Sequence, residues 1–479
     1  MKNILITLIL ASFFSNLLAL DRNFDIKIHV KGISNQDALL AYNYGDKKYI
    51  ADTIQFNQNG VAKISGNHSY DDGTYLIAFP SLGLRSFDFI IRETAFQLNT
   101  DTSDLIKDMV VKNSMENQVM YQDLKKTLTF DSQSDSLKNL LKNDKLDDKQ
   151  RSSIQKELDQ LSEDFISQRG QALKANSKML YYKILNASRP VPMATSELDQ
   201  DGKKNVNYGY EYYINHYWDN TDFSDVALIK SPVVIPRIFN FLDHIYQTPD
   251  SINRAIDIIL NKAAINFESF KILTSEIINK YAKSTVMGQE AVYVHLLDKY
   301  YLNGKTPWVD QETLDKMKKR ADAMRPTLIG KVAPDITVYS LTNIPLDFYK
   351  SIAPYNYSIL VFWNSECSHC QKEMPELVRI WKDSLSSYNV GVFSVSTEIE
   401  LAHVKKFVED NKLNEGFING YDPTGGSNFR SLYDVNSTPL VVILDKDKKI
   451  IAKKVSVKDI PYVISTYQKY MVKGVEKSE

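Results

Sequence analysis

The sequence predicts a multidomain protein with an N-terminal all-β module, a central all-α module and a C-terminal α/β domain. Apolar and polar residues alternate from Phe24 to Val30, as expected of half-buried strands. Further on, apolar residues recur with the 3.6-residue spacing of helices. Beyond residue 325, strand-like and helix-like segments alternate. Because 479 residues are too many for one ordinary core, two to four domains are expected.

The first twenty residues have the pattern of an export signal. Met1–Asn3 supplies a short cationic start, and an apolar stretch follows from Ile4 to Leu20. We therefore predict a signal peptide at residues 1–20 and a location in the periplasm or cell envelope. Residues 17–19 are an imperfect cleavage site, so an uncleaved anchor stays open as the alternative. Membrane contact is expected only in that case.

The net charge and the cysteine content limit the kinds of partner and function that we expect. The formal net charge of −1 gives no long-range attraction for nucleic acid, so no nucleic-acid partner is expected. Structural disulfides are permitted outside the cytoplasm, yet the whole chain contains only Cys367 and Cys370. The two cysteines are therefore expected to have a role other than forming a structural disulfide.

Residues 21–101 are predicted to form an antiparallel β-sandwich or barrel module. Short apolar segments follow one another, and the dipeptide Asn59-Gly60 predicts a hairpin between the segments around residues 54–56 and 61–64. No set of catalytic residue types stands out here. The module is interpreted as a docking or spacing element.

Residues 102–325 are predicted to form the helical module. Ile154, Leu158, Leu161 and Phe165 follow helical spacing with polar residues between them. The histidines in this part are not spaced as metal ligands on one helix would be. No site is expected here.

Residues 326–479 are predicted to form the α/β domain. Helices are expected between its strands and after the last of them, from about residue 459. The predicted strands are residues 336–339, 359–363, 390–395, 440–444 and 449–453, the last two forming a hairpin.

A C-x-x-C motif follows the second of these strands directly. The order Phe362-Trp363, then Cys367-Ser-His-Cys370, predicts a buried strand, a tight turn and the first turn of a helix. A helix N-terminus favours negative charge, so a cysteine there ionises more readily than a free one. The thiolate is the nucleophile of thiol–disulfide exchange, and the motif therefore predicts a redox-active dithiol.

Taken together, these motifs resemble the TlpA/ResA-type thioredoxin-like thiol–disulfide oxidoreductases. The resemblance rests on the strand ending in Phe362-Trp363, the C-x-x-C motif, the lead-in 330–335, the segment 370–375 and the distant Thr438-Pro439 before a hairpin. It covers residues from about 326 onwards. The upstream β and helical modules resemble the domains of unknown function that precede such folds in exported bacterial proteins.

The resemblance implies a role for each motif residue. Cys367 would be the attacking thiolate and Cys370 the buried resolving thiol. Pro439, after Thr438, would be the cis-proline that lies against the disulfide and offers backbone to the substrate. Glu373 matches a glutamate that members of the family use near the dithiol, where a carboxylate with a raised pKa could exchange protons with the resolving cysteine. The alternative for Glu373 is a solvated carboxylate in the first turn of the helix.

Two features of the motif bear on its redox behaviour. Thioredoxin has a buried aspartate two residues before the position of Trp363, where this chain has Val361. His369 lies between the cysteines, and a group that stabilises the Cys367 thiolate makes the dithiol more oxidising. The resemblance implies a reductant instead, so the direction of exchange stays open. The expected partners are protein thiols or disulfides and an upstream redox partner, with no cofactor.

Three other functions are alternatives to the predicted thiol–disulfide oxidoreductase. A structural zinc site needs four protein ligands, and recruiting His369 and His403 would still leave one missing. A peroxiredoxin-like peroxidase shares the Gly-x-x-Ala-Pro-Asp opening, but the partner cysteine of such enzymes is usually remote. An envelope binding or scaffold protein with a vestigial redox domain is the third alternative, because most of the chain lies outside the predicted redox domain.

Overall fold

The computed structural model describes residues 22–191 and 208–476, so the predicted signal peptide at 1–20 lies outside the described residues. The chain divides into two compact units. One contains the described residues up to Ile245 together with Ala255–Thr274. The other contains Tyr246–Arg254 and the described residues from Ser275 onwards.

The N-terminal part of the first unit is a sandwich of two four-stranded sheets, as predicted for an all-β module. One sheet has the strand order β4-β1-β7-β8 and the other β3-β2-β5-β6. Alternate residues of β1, from Phe24 to Val30, are buried, so the period-two pattern marks the face that packs on the core. The strands are β1 (Arg22–Lys31), β2 (Gln36–Tyr44), β3 (Lys47–Phe56), β4 (Val61–His68), β5 (Gly73–Phe79), β6 (Arg85–Ile91), β7 (Ala95–Asp101) and β8 (Val110–Lys112).

Two details of this module differ from the sequence-based expectation. β1 pairs with β7 in parallel, so the predicted antiparallel sandwich is wrong for this pair. The alternation of side chains defines which face is buried but carries no information on strand direction, and the long excursion through β2–β6 allows a parallel return. The predicted hairpin at Asn59-Gly60 is also wrong, because β3 and β4 belong to different sheets. Gly60 provides the tight turn, with φ of 68°, but the turn carries the chain from one sheet to the other.

The central region is helical, as predicted, but the predicted start at residue 102 is wrong because β8 still belongs to the β module and the first helix begins at Met115. The two longest described helices are α1 and α2, and the stripe of Ile154, Leu158, Leu161 and Phe165 lies on α2. In the described ranges, no helix is both long and apolar enough to cross a membrane. The helices are α1 (Met115–Leu141), α2 (Asp148–Ala175), α3 (Leu180–Ala187), α4 (Tyr208–His216), α5 (Val226–Lys230), α6 (Val234–His244), α7 (Pro249–Ala263), α8 (Phe267–Ala282), α9 (Glu290–Leu296) and α10 (Gln311–Met324).

The C-terminal domain is built on a seven-stranded mixed sheet with the order β10-β9-β13-β12-β11-β14-β15. Its strands are β9 (Thr337–Ser340), β10 (Pro345–Asp347), β11 (Tyr357–Trp363), β12 (Val390–Ser396), β13 (Ile418–Tyr421), β14 (Leu440–Asp445) and β15 (Ile450–Lys453). Its helices are α11 (Phe348–Ile352), α12 (Ser368–Ser384), α13 (Leu401–Asp410), α14 (Phe429–Leu432) and α15 (Ile460–Glu476). The short elements β10 and α11 were not expected from the sequence.

The central strand β11 is buried on both faces, which explains its continuous run of apolar residues. Val361 and Trp363 point into one hydrophobic cluster together with Cys370, while Leu360 and Phe362 point into the cluster on the other face. β11 runs parallel to β12, and β12 runs parallel to β13. The carboxyl ends of these three strands therefore meet at one edge of the sheet.

A buried ion pair joins α9 to β15 within the second unit. Lys453 Nζ lies 2.9 Å from Glu290 Oε2 and donates to Thr327 Oγ1 at 3.0 Å. The side chains of Lys453 and Glu290 are only 4% and 12% exposed. Burial alone would raise the pKa of the Glu290 carboxyl, but the ammonium groups of Lys453 and Lys454 hold it below its ordinary value. The favourable interaction of this carboxylate is thus present at neutral pH and is lost as the pH falls through the depressed pKa.

We expect Glu290→Gln to lower the free energy of unfolding of the second unit by about 3–5 kcal/mol, because Lys453 would remain buried without a counter-charge. Chemical denaturation followed by circular dichroism measures the loss. The matched control is Glu312→Gln, which breaks an ion pair with Lys316 whose side chains are 79% and 73% exposed. That change should cost less than about 1 kcal/mol. Equal losses in the two variants would contradict the stabilising role of the buried pair.

Candidate active site

The two cysteines lie where β11 gives way to α12. The chain leaves the sheet after Trp363 and turns through Asn364–Glu366, and α12 begins at Ser368. Cys367 occupies the N-cap position of the helix, where its Sγ accepts the backbone N–H of Cys370 at 3.4 Å. Cys367 is half-buried, whereas Cys370 is buried in the hydrophobic cluster beneath the helix. The order of strand, turn and helix agrees with the sequence-based expectation.

The environment of Cys367 favours its ionised form. Partial burial would raise the pKa of this thiol, but hydrogen bonds from the Thr438 side chain and from the backbone N–H groups of Cys370 and His369 bring it below its ordinary value. The backbone carbonyl oxygen of Thr438 lies 3.0 Å from Cys367 Sγ and accepts from the protonated thiol. That carbonyl opposes ionisation, so the stabilisation of the thiolate comes from the Thr438 side chain, the Cys370 thiol and the two N–H donors.

The environment of Cys370 has the opposite effect. Burial in the apolar cluster, with a further contribution from the neighbouring Cys367, raises the pKa of the Cys370 thiol to about 12. Desolvation disfavours a thiolate that has little water around it. The two thiols therefore differ in how readily they ionise as well as in exposure.

The motif residues supplied by the sheet surround this pair. The peptide bond between Thr438 and Pro439 is cis, and both residues are half-buried just before β14 begins. Trp363 is fully buried, where its Nε1 donates to Ser394 Oγ at 2.7 Å and its ring stacks on Phe407 at 4.4 Å. Trp363 thus anchors the end of β11 from within the core.

The two remaining predicted residues, Glu373 and His369, differ in their surroundings. Glu373 is half-buried, and its Oε2 accepts the backbone N–H of Val457 at 3.2 Å. Val457 begins the 3₁₀ turn that leads into α15, so this carboxylate connects α12 with the C-terminal helix. His369 is exposed at the start of α12. In the described part of the chain, no group of three or more histidine, cysteine, aspartate or glutamate side chains is placed to hold a metal ion.

Two side chains that were not predicted from the sequence hold the turn before the dithiol. Glu398 Oε1 accepts from both the backbone N–H and the Oγ of Ser365, each at 2.6 Å. Gln371 Nε2 donates to the carbonyl oxygen of Ser365 at 2.9 Å. The signal available in the sequence was the place of Glu398 just past the end of a buried strand. Only the pairing of β12 with β11 brings that position beside the motif.

Comparison with known proteins identifies two segments of the chain. Residues 329–453 match the AhpC/TSA family, and residues 204–326 match a domain of unknown function, DUF5106. No curated protein matches the sequence significantly. Residues 329–453 therefore form a thioredoxin-like domain of the AhpC/TSA type, which confirms the predicted fold class and the class of thioredoxin-like oxidoreductase. The predicted likeness of the upstream modules to domains of unknown function is confirmed for residues 204–326.

Several solved structures are similar to parts of the chain. A thioredoxin-like protein from Bacteroides caccae is 21% identical, with 58% of this chain and 98% of that one covered and a TM-score of 0.43. A domain of a possible thiol-disulfide isomerase from Cytophaga hutchinsonii is 30% identical, with 31% and 98% covered and a TM-score of 0.29. A secreted disulfide oxidoreductase from Mycobacterium tuberculosis is 21% identical, with 27% and 94% covered and a TM-score of 0.24.

The difference between the two thiols can be measured separately, because each single Cys→Ser variant leaves one cysteine in the chain. We expect Cys367 in the Cys370→Ser variant to be alkylated by iodoacetamide with a midpoint below the ordinary cysteine pKa of about 8.5. Cys370 in the Cys367→Ser variant should react with a midpoint well above that value, because it stays buried. Similar midpoints for the two variants would contradict the assignment of one accessible thiol with a lowered pKa and one buried thiol with a raised pKa.

Proposed function

We propose that the protein is an exported thiol–disulfide oxidoreductase that exchanges disulfides with protein substrates through Cys367 and Cys370. The observation that carries this proposal is the difference between the thiols: Cys367 is accessible with a lowered pKa, and Cys370 is buried with a pKa raised to about 12. Exchange requires one available thiolate and one thiol that is withheld until the first has reacted. Export is supported by the predicted signal peptide at residues 1–20.

In the first step, the Cys367 thiolate attacks one sulfur of a substrate disulfide. A bond forms between Cys367 Sγ and that sulfur, the substrate S–S bond breaks, and the other substrate sulfur leaves as a thiolate that takes up a proton. The product is a mixed disulfide on Cys367. The lowered pKa of Cys367 increases the fraction of thiolate near neutral pH.

In the second step, Cys370 loses its proton and attacks Cys367 Sγ. The intramolecular disulfide forms, the mixed disulfide breaks, and the second substrate sulfur leaves as a thiol after protonation. Two electrons have then passed from the dithiol to the substrate. Burial keeps the pKa of Cys370 far above neutral pH, so this step needs a proton acceptor. Once Cys367 is in the mixed disulfide, its charge no longer opposes the ionisation of Cys370.

We assign supporting roles to the remaining motif residues. Thr438 and Pro439 lie beside Cys367 and would offer backbone to an extended substrate segment. Trp363 holds the end of β11 in the core, and His369 is exposed beside the attacking thiol. An upstream redox partner would restore the reduced dithiol, and protein thiols or disulfides are the substrates.

Glu373 is the proposed proton acceptor for Cys370. It lies one helical turn after Cys370 and is half-buried, which places a carboxylate close to the resolving thiol along α12. Its hydrogen bond from the Val457 N–H occupies one oxygen and holds the side chain in place. The same bond would exist if Glu373 served structure alone, so the role requires a test that separates the two.

The proposed activity predicts that the protein accelerates the reduction of insulin by dithiothreitol. Cys367→Ser should abolish the acceleration, because it removes the attacking thiolate. Ser368→Ala is the matched control, since Ser368 is exposed within the same motif and its loss should leave the rate nearly unchanged. No acceleration by the wild type, or equal acceleration by Cys367→Ser, would leave the scaffold alternative in place. Consumption of hydrogen peroxide by the reduced protein would favour the peroxidase alternative instead.

The proposed order of attack predicts that Cys370→Ser traps substrates. Without the resolving thiol, the mixed disulfide on Cys367 cannot be released, so partner proteins should accumulate as complexes sensitive to dithiothreitol. Non-reducing electrophoresis of envelope extracts measures them, and Cys367→Ser serves as the control. Trapping by Cys367→Ser rather than Cys370→Ser would reverse the assignment of the two thiols.

Glu373→Gln should change the pH dependence of insulin reduction without unfolding the protein. The amide oxygen can still accept the Val457 N–H, so the contact between α12 and the C-terminal helix is retained while the proton acceptor is lost. We expect a slower reaction near neutral pH and a smaller difference from the wild type as the pH rises. An unchanged pH profile would assign Glu373 to structure.

A further inference from the structure

Glu398 stands beside the dithiol because of the way two parallel strands pair. Trp363 at the end of β11 is aligned with Ser396 at the end of β12, and the N–H of Thr397 donates to the Trp363 carbonyl at 2.8 Å. This bond continues the strand pairing one residue beyond the sheet. Glu398 therefore emerges opposite the turn that leads to Cys367.

The carboxylate of Glu398 accepts two hydrogen bonds from that turn. Both of its hydrogen bonds go from Ser365 to one oxygen, Oε1, at 2.6 Å each. The hydrogen bonds of this carboxylate are thus directed at the turn before Cys367.

Ser365 is held from its other side as well. Its carbonyl oxygen accepts from Gln371, a residue in the first turn of α12. Within the turn, Asn364 O accepts the N–H of Cys367 at 3.2 Å, and Asn364 Oδ1 accepts the N–H of Glu366 at 2.9 Å. Every polar backbone atom of Ser365 thus has a partner, and the path of the chain into Cys367 is defined.

We propose that Glu398 is a positioning residue for the attacking thiol: by holding Ser365 through two hydrogen bonds, its carboxylate fixes the turn that places Cys367 at the start of α12. Glu398 acts through Ser365 and is not assigned a contact with substrate. The inference deepens the proposed function, on which its relevance to exchange depends.

The physical link runs through the donors that stabilise the Cys367 thiolate. The N–H groups of His369 and Cys370 lower the pKa of Cys367 only while Cys367 keeps its N-cap geometry. A turn released from Glu398 has more conformational freedom, so Cys367 spends less time aligned with these donors. Loss of the Ser365 bonds should therefore make the thiol harder to ionise.

The test compares Glu398→Gln with Glu398→Ala, each combined with Cys370→Ser so that Cys367 is the single thiol. Both substitutions remove the negative charge. The glutamine keeps an oxygen that can accept both hydrogen bonds from Ser365, whereas the alanine has no side-chain acceptor and loses both bonds. The difference between them therefore reports the hydrogen bonds and not the charge. The measurement is the pH–rate profile of Cys367 alkylation by iodoacetamide.

We expect the alkylation midpoint of Glu398→Ala to lie about half a pH unit or more above that of Glu398→Gln. At a pH below both midpoints this corresponds to about threefold less thiolate in the alanine variant. Coincident midpoints, or a higher midpoint for the glutamine variant, would overturn the proposal. Glu400→Ala is the matched control, because Glu400 lies on the same loop, is exposed and makes no capping hydrogen bond with α13. Its midpoint should equal that of the parent.

A second variant covers the case in which Glu398→Ala does not fold. Ser365→Ala removes only the hydroxyl donor and leaves the charge of Glu398 in place, so its midpoint should rise above that of the parent by a smaller amount. An unchanged midpoint would also count against the proposal. Alkylation needs no disulfide substrate, so a protein inactive towards insulin can still show the difference between alanine and glutamine. Failure of the proposed function and failure of the positioning role are thereby distinguishable.

Discussion

The position of Cys367 at the N-cap of α12 determines how readily each of the two thiols ionises. A side chain at the N-cap faces the unpaired N–H groups of the first helical turn, whereas a side chain three residues later points down the helix into the core. The same geometry therefore supplies donors to one sulfur and removes water from the other. If the helix began one residue earlier or later, Cys367 would lose its N–H donors and Cys370 would lose its place in the core.

The sheet makes this helix start possible. Parallel strands end at the same edge, so the turns after β11 and β12 lie side by side, and the approach to β14 brings Thr438 and Pro439 to the same place. Each segment contributes a different kind of group: thiols from one, a carboxylate from the second, and a hydroxyl with a carbonyl from the third. The site is assembled from residues that are far apart in sequence, which the central strand β11 holds in register.

The sequence was most informative where one local pattern controls the structure. The apolar run of β11 and the motif after it are contiguous, and their place in the fold could be predicted from the residues alone. The parallel pairing of β1 with β7 could not be predicted, because the alternation of apolar and polar residues is the same whichever way a strand runs. Asn59-Gly60 defined a turn correctly but not the sheets on either side of it. Glu398 was missed because its partner, Ser365, is 33 positions earlier and only strand register relates the two.

The buried pair of Glu290 and Lys453 has a consequence for how this chain can be divided. Glu290 lies in the segment that matches the domain of unknown function, and Lys453 is the last residue of the segment that matches AhpC/TSA. Thr327, which accepts from the same ammonium group, falls between the two matches. A fragment that begins at this sequence boundary would carry Lys453 without either partner. For recombinant expression, a fragment that keeps this ion pair therefore has to begin upstream of Glu290 and to include the end of the helical segment together with the redox domain.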